Sequence, residues 1–146
     1  MLVKSYKSDI IKPVIYWSFH DYVDSRNRIQ DWYVSALSDA SRLTFDSDLK
    51  NRAKTKNHLE WCGFEKWKNG EAKGLGIFEL KFLADAKQHR VFAVFRPGKQ
   101  VVLLMGCYHK QKVYTPPNAL DTACKRAKAL RDGKATTYER QIKFDI

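Results

Sequence analysis

The chain has 146 residues, 44% hydrophobic and 13% aromatic, which suits one domain with a buried core and excludes both a disordered chain and a pair of domains. No apolar run reaches the length that crosses a bilayer. The 27 Lys and Arg against 16 Asp and Glu give a net charge of +11, which points to polyanionic partners.

From the start, MLVKSYKSDIIKPV carries lysines but no apolar core and no small-residue cleavage site, so no secretory signal is expected and the protein is placed in the cytoplasm, off the membrane. The run Val14–Phe19 is β-branched and aromatic, with Pro13 at its beginning, and reads as a first strand. Ile29, Trp32, Tyr33, Ala36, Leu37 and Ala40 then recur at helical spacing. They predict a helix over 25–40 capped by Ser25 or Asp24. After a short Ser41 to Thr44 connection, Leu49, Arg52, Ala53, Lys56 and Leu59 mark the inner side of a second helix over 46–61, with Gly63 as its stop. The two form a helical hairpin. A lysine-rich connection over 64–74 follows, anchored by Trp67 and turning at Asn69-Gly70.

Residues 76–110 read as three strands. Phe78, Leu80 and Phe82 alternate with Glu79 and Lys81, which predicts one dry and one wet face. The second strand, from Arg90 to Arg96, is apolar inside and basic at its ends. The third, Val101-Val102-Leu103-Leu104-Met105, does not alternate, as expected of a central strand covered on both faces. Pro97-Gly98 between them fits a type II turn, so the three strands form an antiparallel meander. Thr115-Pro116-Pro117 then reads as a helix entry with Thr115 as cap. The helix buries Leu120, Ala123, Cys124, Ala127 and Leu130, and Gly133 ends it. From His109 to Lys134 there are seven Lys or Arg against two acids, the basic pole of the molecule. The tail, 136–146, alternates enough around Tyr138, Ile142 and Phe144 for an edge strand. The order strand, helix, helix, three strands, helix predicts an α+β fold with a mostly antiparallel sheet packed on the helical hairpin. Cys62, Cys107 and Cys124 are odd in number and widely spaced, so reduced packing residues are expected rather than disulfides or a metal site. No histidine cluster points to zinc, and no phosphate loop or dinucleotide motif is present.

The succession Phe78-Glu79-Leu80-Lys81, His89-Arg90-Val91-Phe92, Val101-Val102-Leu103-Leu104, Tyr108-His109-Lys110-Gln111-Lys112, Pro116-Pro117 and an alanine-rich basic helix resembles the RelE/HigB toxins of type II toxin–antitoxin systems, in particular their phage-derived HigB-like branch. The likeness spans about residues 14–131 of a single 1–146 domain. It departs at Lys81, where arginine is usual, at His89, where an aromatic often precedes the arginine, and at Tyr108-His109-Lys110, where phenylalanine and a lysine pair are common. The resemblance implies a RelE-like β-α-α-β-β-β-α fold and an endoribonuclease that cuts messenger RNA in the ribosomal A site without metal or cofactor. It also implies a partner, a separate and DNA-binding antitoxin. In that reading Arg90 supplies a bidentate fork to the phosphate, Lys81 a second cation, and His109 the acid or base, with Tyr108 beside them. Lys110, Lys112, Tyr114, Lys125, Arg126 and Arg131 hold the RNA. Arg90 pairing with Glu79 across the sheet is the structural alternative, and His109 as an ordinary surface histidine is another. The same fold acting by binding alone, on DNA gyrase or on RNA, is the functional alternative.

Overall fold

The computed structural model describes residues 14–144. In chain order it contains β1 (Ser18–Val23), α1 (Arg28–Ala36), α2 (Asp39–Ala53), β2 (Phe64–Lys66), α3 (Gly70–Gly74), β3 (Phe78–Ala84), β4 (Lys87–Arg96), β5 (Gln100–Lys110), β6 (Val113–Thr115), α4 (Ala119–Arg131) and β7 (Thr136–Glu139). The seven strands form one sheet in the order β2-β3-β4-β5-β1-β7, with β6 added to the far end of β5. All pairs are antiparallel except β1 with β5, where Ser18 to Asp21 run alongside Gln100 to Leu103. The fold is α+β, as the element order predicts. No helix among the described residues is long and apolar enough to cross a membrane.

The first strand lies four residues later than Val14–Phe19, and Pro13 falls outside the described residues. The cause is the end of α2. The Ala53 carbonyl accepts the Tyr16 and Trp17 amides, and the Trp17 indole donates to the Thr55 and Lys56 carbonyls at 3.0 and 3.2 Å, so this stretch is held by a helix terminus rather than by a strand. The two helix ranges shift as well. Asp24 is engaged by the Arg26 amide and the Arg28 guanidinium, and Asn27 caps α1 by accepting from the Ile29 and Gln30 amides. Ser38 caps α2 through the Ser41 amide, so the predicted 41–44 connection is helical and the real break is Leu37-Ser38. The apolar spacing ran through that break because Leu37 is buried from an extended cap residue. α2 stops at Ala53, not at Trp61, which leaves Lys56 and Leu59 exposed. Gly63, at φ +77°, does not end a helix. It lies so near β3 that a Cβ there would be 2.5 Å from the Lys81 carbonyl oxygen.

The 64–74 connection contains β2 and the short α3, and Thr115 belongs to β6 rather than capping a helix. α4 begins after Asn118, with the Ala119 amide on the Pro116 carbonyl. It ends as predicted, with the Gly133 amide on the Leu130 carbonyl and the Lys134 amide on that of Ala129. The edge strand in the tail is present as β7 but covers only Thr136–Glu139; Ile142 and Phe144 lie beyond it and pack against the core instead.

Two cores sandwich the sheet. α1 and α2 cover one face, where Phe19, Ile29, Phe45, Leu49, Phe78, Leu80, Val91 and Leu103 pack. α3 and α4 cover the other, over Tyr22, Phe92, Val102, Leu104, Cys107, Ala123 and Ala127. The expected wet face of the meander is therefore largely covered, and Glu79 is only 7% exposed. Cys107 and Cys124 are buried free thiols, whereas Cys62 is free and exposed.

Contact between α1 and β5 requires glycine at 106. A Cβ there would lie 2.1 Å from the Trp32 indole, and no rotation of a methyl-sized group relieves that overlap. Gly106→Ala is expected to destabilise the fold by about 1–3 kcal/mol in urea unfolding; stability equal to the parent would mean that Trp32 can leave its place on β5.

Candidate active site

The site grows from register. Lys81 pairs with Arg90, Arg90 with Cys107, Gln88 with His109, and His109 with Tyr114. Residues that pair directly share a face, so Glu79, Lys81, Arg90, His109 and Tyr114 project together on the α4 side, at the end of the sheet that α4 leaves open. Among them Arg90 is central. Its Nε lies 3.8 Å from Glu79 Oε1, its Nη2 lies 3.5 Å from His109 Nδ1 and 3.3 Å from Gln88 Oε1, and its Nη1 donates to the His89 carbonyl at 3.3 Å. The side chains of Arg90 and Glu79 are 12% and 9% exposed. The Tyr114 hydroxyl donates to the same Glu79 oxygen at 2.9 Å, and its ring lies 4.9 Å from that of His109. Lys81 is paired with Glu65 on β2.

A β-bulge decides which residue of β5 joins this group. Phe92 pairs with Met105 and Ala93 with Leu103, so Leu104 is an extra residue in β5. Without it Gln88 would face Tyr108. With it Gln88 faces His109, and Tyr108 pairs with His89 on the opposite face, where Lys87 lies 5.0 Å from its ring. The Leu104 carbonyl accepts Nη1 of Arg126 at 2.7 Å, and the Arg126 guanidinium also lies 5.5 Å from the Tyr22 ring. Burial lowers the Arg126 pKa.

The sequence-predicted residues therefore divide. Arg90, His109, Lys81 and Tyr114 come together, and Tyr108 does not join them. Arg126 is engaged inside the fold. Lys110 and Lys112 are exposed at and beyond the end of β5, Lys125 is exposed on α4, and Arg131 is exposed and paired with Asp132 at 3.1 Å. Glu79 and Gln88 complete the cluster and were not among the predicted site residues. The alternation that places Glu79 on the same face as Lys81, the residue opposite Arg90, was the signal that could have found Glu79.

The family model of the phage-derived protein Gp49-like (DUF891) matches residues 35–128, which takes in every residue of the cluster. The chain belongs to this Gp49-like family. No curated protein matches it.

Burial and Glu79 together set the electrostatics of the cluster. Burial and the Glu79 carboxylate push the Tyr114 hydroxyl far above its ordinary range, so it stays a neutral donor. Cys107 is pushed up to about 12, first by burial and then by Glu79, and is no thiolate nucleophile at neutral pH. Lys81 holds the Glu65 carboxyl below its usual range. Among the described residues no three His, Cys, Asp or Glu side chains group as metal ligands. The arrangement is a guanidinium aligned by a carboxylate, beside an imidazole and a second cation: the cations suit an oxyanion and the imidazole suits proton transfer to or from a hydroxyl.

Tyr114→Phe removes a hydrogen bond from a buried carboxylate and is expected to lower stability by about 1–3 kcal/mol in urea unfolding; no loss would mean that water replaces the hydroxyl. Thiol labelling at pH 8 is expected to modify Cys62 rapidly in the folded protein, and Cys107 and Cys124 only in denaturant. A fast reaction that survives Cys62→Ser would contradict the burial of the other two.

Proposed function

We propose that this Gp49-like protein is a toxin that acts as an endoribonuclease on messenger RNA in the ribosomal A site, without a metal, and that a separate DNA-binding antitoxin neutralises it. The observation that carries the reading is Arg90 Nη2 within 3.5 Å of His109 Nδ1, on a guanidinium steadied by Glu79 and backed by Lys81.

Cleavage needs a base for the ribose 2′-OH, cations for the crowded phosphorane and a proton for the departing 5′ oxygen. When a phosphate draws Nη2 of Arg90 onto its non-bridging oxygens, Nδ1 of His109 is released from that weak contact and takes the 2′ proton. The 2′ oxygen bonds to phosphorus as the bond to the 5′ oxygen breaks. Products are a 2′,3′-cyclic phosphate and a 5′-hydroxyl, the latter protonated by the imidazolium or by water. Glu79 keeps the guanidinium in the orientation this requires, and Tyr114 keeps Glu79 from turning. Lys110, Lys112, Lys125 and Arg131 are the cations available to the RNA backbone around the site. A net charge of +11 suits that polyanion.

Primer extension on a defined message, with programmed ribosomes and in parallel with the free RNA, tests this. Arg90→Ala and His109→Ala are each expected to reduce ribosome-dependent cleavage at least about a hundredfold while the protein stays folded. Undiminished cleavage by both variants would overturn the assignment. No cleavage by the parent protein, with or without ribosomes, would favour a protein of this fold that acts by binding alone.

A further inference from the structure

At the end of the sheet away from the Arg90 cluster, a group of aromatic side chains reaches the surface. Phe95 stands near the end of β4 and pairs with Val101 on the face that α1 and α2 cover. α2 stops at Ala53, and a single 3₁₀ turn, His58–Glu60, continues the cover. The Phe95 ring packs on Phe78 at 4.3 Å, on His58 at 4.8 Å and on Trp17 at 5.3 Å between centroids, yet Phe95 remains 36% exposed. His58 and Phe64, both half-buried and 5.2 Å apart, continue the rim.

Two lysines flank these rings. Nζ of Lys99 lies 4.8 Å from the Trp17 centroid, and Lys66, opposite Phe78 on β2, stands on the same face. Both are exposed, and after burial it is their charges that hold His58 below its usual pKa. The imidazole is therefore neutral at pH 7, a flat ring that can be covered without desolvating a charge. Lys81 and Lys128 each have a glutamate partner, whereas among the described residues Lys66 and Lys99 have none. Flat apolar rings beside unpaired cations suit a chain that alternates flat rings with negative charge.

We infer that this platform binds single-stranded RNA, one base stacking on Phe95 against His58 while Lys66 and Lys99 take the neighbouring phosphates. A protein partner would have to set an apolar side chain between two carboxylates to match it. Phe95 lies five residues along β4 from Arg90, about 16 Å, and on the other face of the sheet. The platform is therefore a second RNA contact, separate from the cleavage site. The choice of RNA rests on the function proposed above; the stacking does not.

Fluorescence anisotropy of the full chain tests this, with a labelled 2′-O-methyl oligouridine, which has no 2′-OH to attack the phosphate, and with the same strand paired to its complement. Phe95→Ala is expected to weaken single-strand binding at least about fivefold and to leave duplex binding within about twofold, because paired bases present no free face, while Phe95→Tyr keeps both. Lys66→Gln combined with Lys99→Gln is expected to reduce the slope of log affinity against log salt by about 1.4. That pair leaves the core intact and tests the inference even should Phe95→Ala not fold. Single-strand affinity unchanged in Phe95→Ala, equal losses on strand and duplex, an unaltered salt slope in the lysine pair, or no binding by the parent chain would each overturn it. Arg90→Ala is expected to lose cleavage and keep the Phe95 effect. A chain that shows this effect but cuts no RNA would retain the platform and lose the nuclease, and one that cuts RNA without it would do the reverse.

Discussion

The extra residue in β5 decides which side chains of that strand stand beside Arg90. Leu104 bulges out of the ladder with β4, and its free carbonyl is taken by Arg126 from α4. Every residue of β5 beyond that point is displaced by one position against β4. Since side chains alternate with period two, the displacement exchanges faces: His109 comes beside Arg90, and Tyr108 goes to the opposite side of the sheet. A cation on one helix thereby fixes which ionisable group stands at the site on a strand. The helix also seals the hydrophobic core beneath, so the site and the stability of this face share one contact.

Covering the sheet on both sides has a second consequence. Charged side chains near the covered ends must be paired or hydrogen-bonded, because charge is costly to hold away from water. Glu79 is held by Arg90 and Tyr114, Asp21 by Arg140 and Asn27, with Arg140 9% and Asp21 2% exposed. The Asp21 pair ties the segment after β7 to β1, where the Arg140 amide also bonds the Phe19 carbonyl. Arg140 lies over the rings of Tyr33 and Phe45, so the tail also braces α1 and α2. At the candidate site this kind of pairing orients cations in advance of a ligand, and pre-orientation is what electrostatic stabilisation of a transition state requires. Among the described residues, Nε and Nη1 of Arg52, Oδ1 of Asp21 and the indole N–H of Trp67 are buried without a hydrogen-bond partner.

The Gp49-like match covers the segment from the end of α1 to most of α4, which carries Arg90, His109, Glu79 and Tyr114, and leaves β1 and β7 outside it. Those two strands complete the sheet on the side away from the site. Function is read from the site, because one fold supports both catalysis and simple binding.

By itself the sequence determined the meander, the basic last helix with its glycine stop, the edge strand in the tail and the α+β class, because local periodicity and turn residues encode each of them. The family resemblance named Arg90, Lys81, His109 and Tyr114, which share one face, and also Tyr108, which lies on the other. The start of β1 was not legible, since Tyr16 and Trp17 are captured by the end of α2, nor was the break at Leu37-Ser38, where burial of Leu37 mimics a continuing helix. β2 and β6 have three residues each, too few to show a period. Tertiary structure alone decided that Glu79 is buried, that Arg126 faces inward and that His109 rather than Tyr108 meets Arg90. A bulge leaves no periodic trace in an unbroken apolar run such as Val101 to Met105, and which face each later residue occupies depends on a pairing made across the sheet.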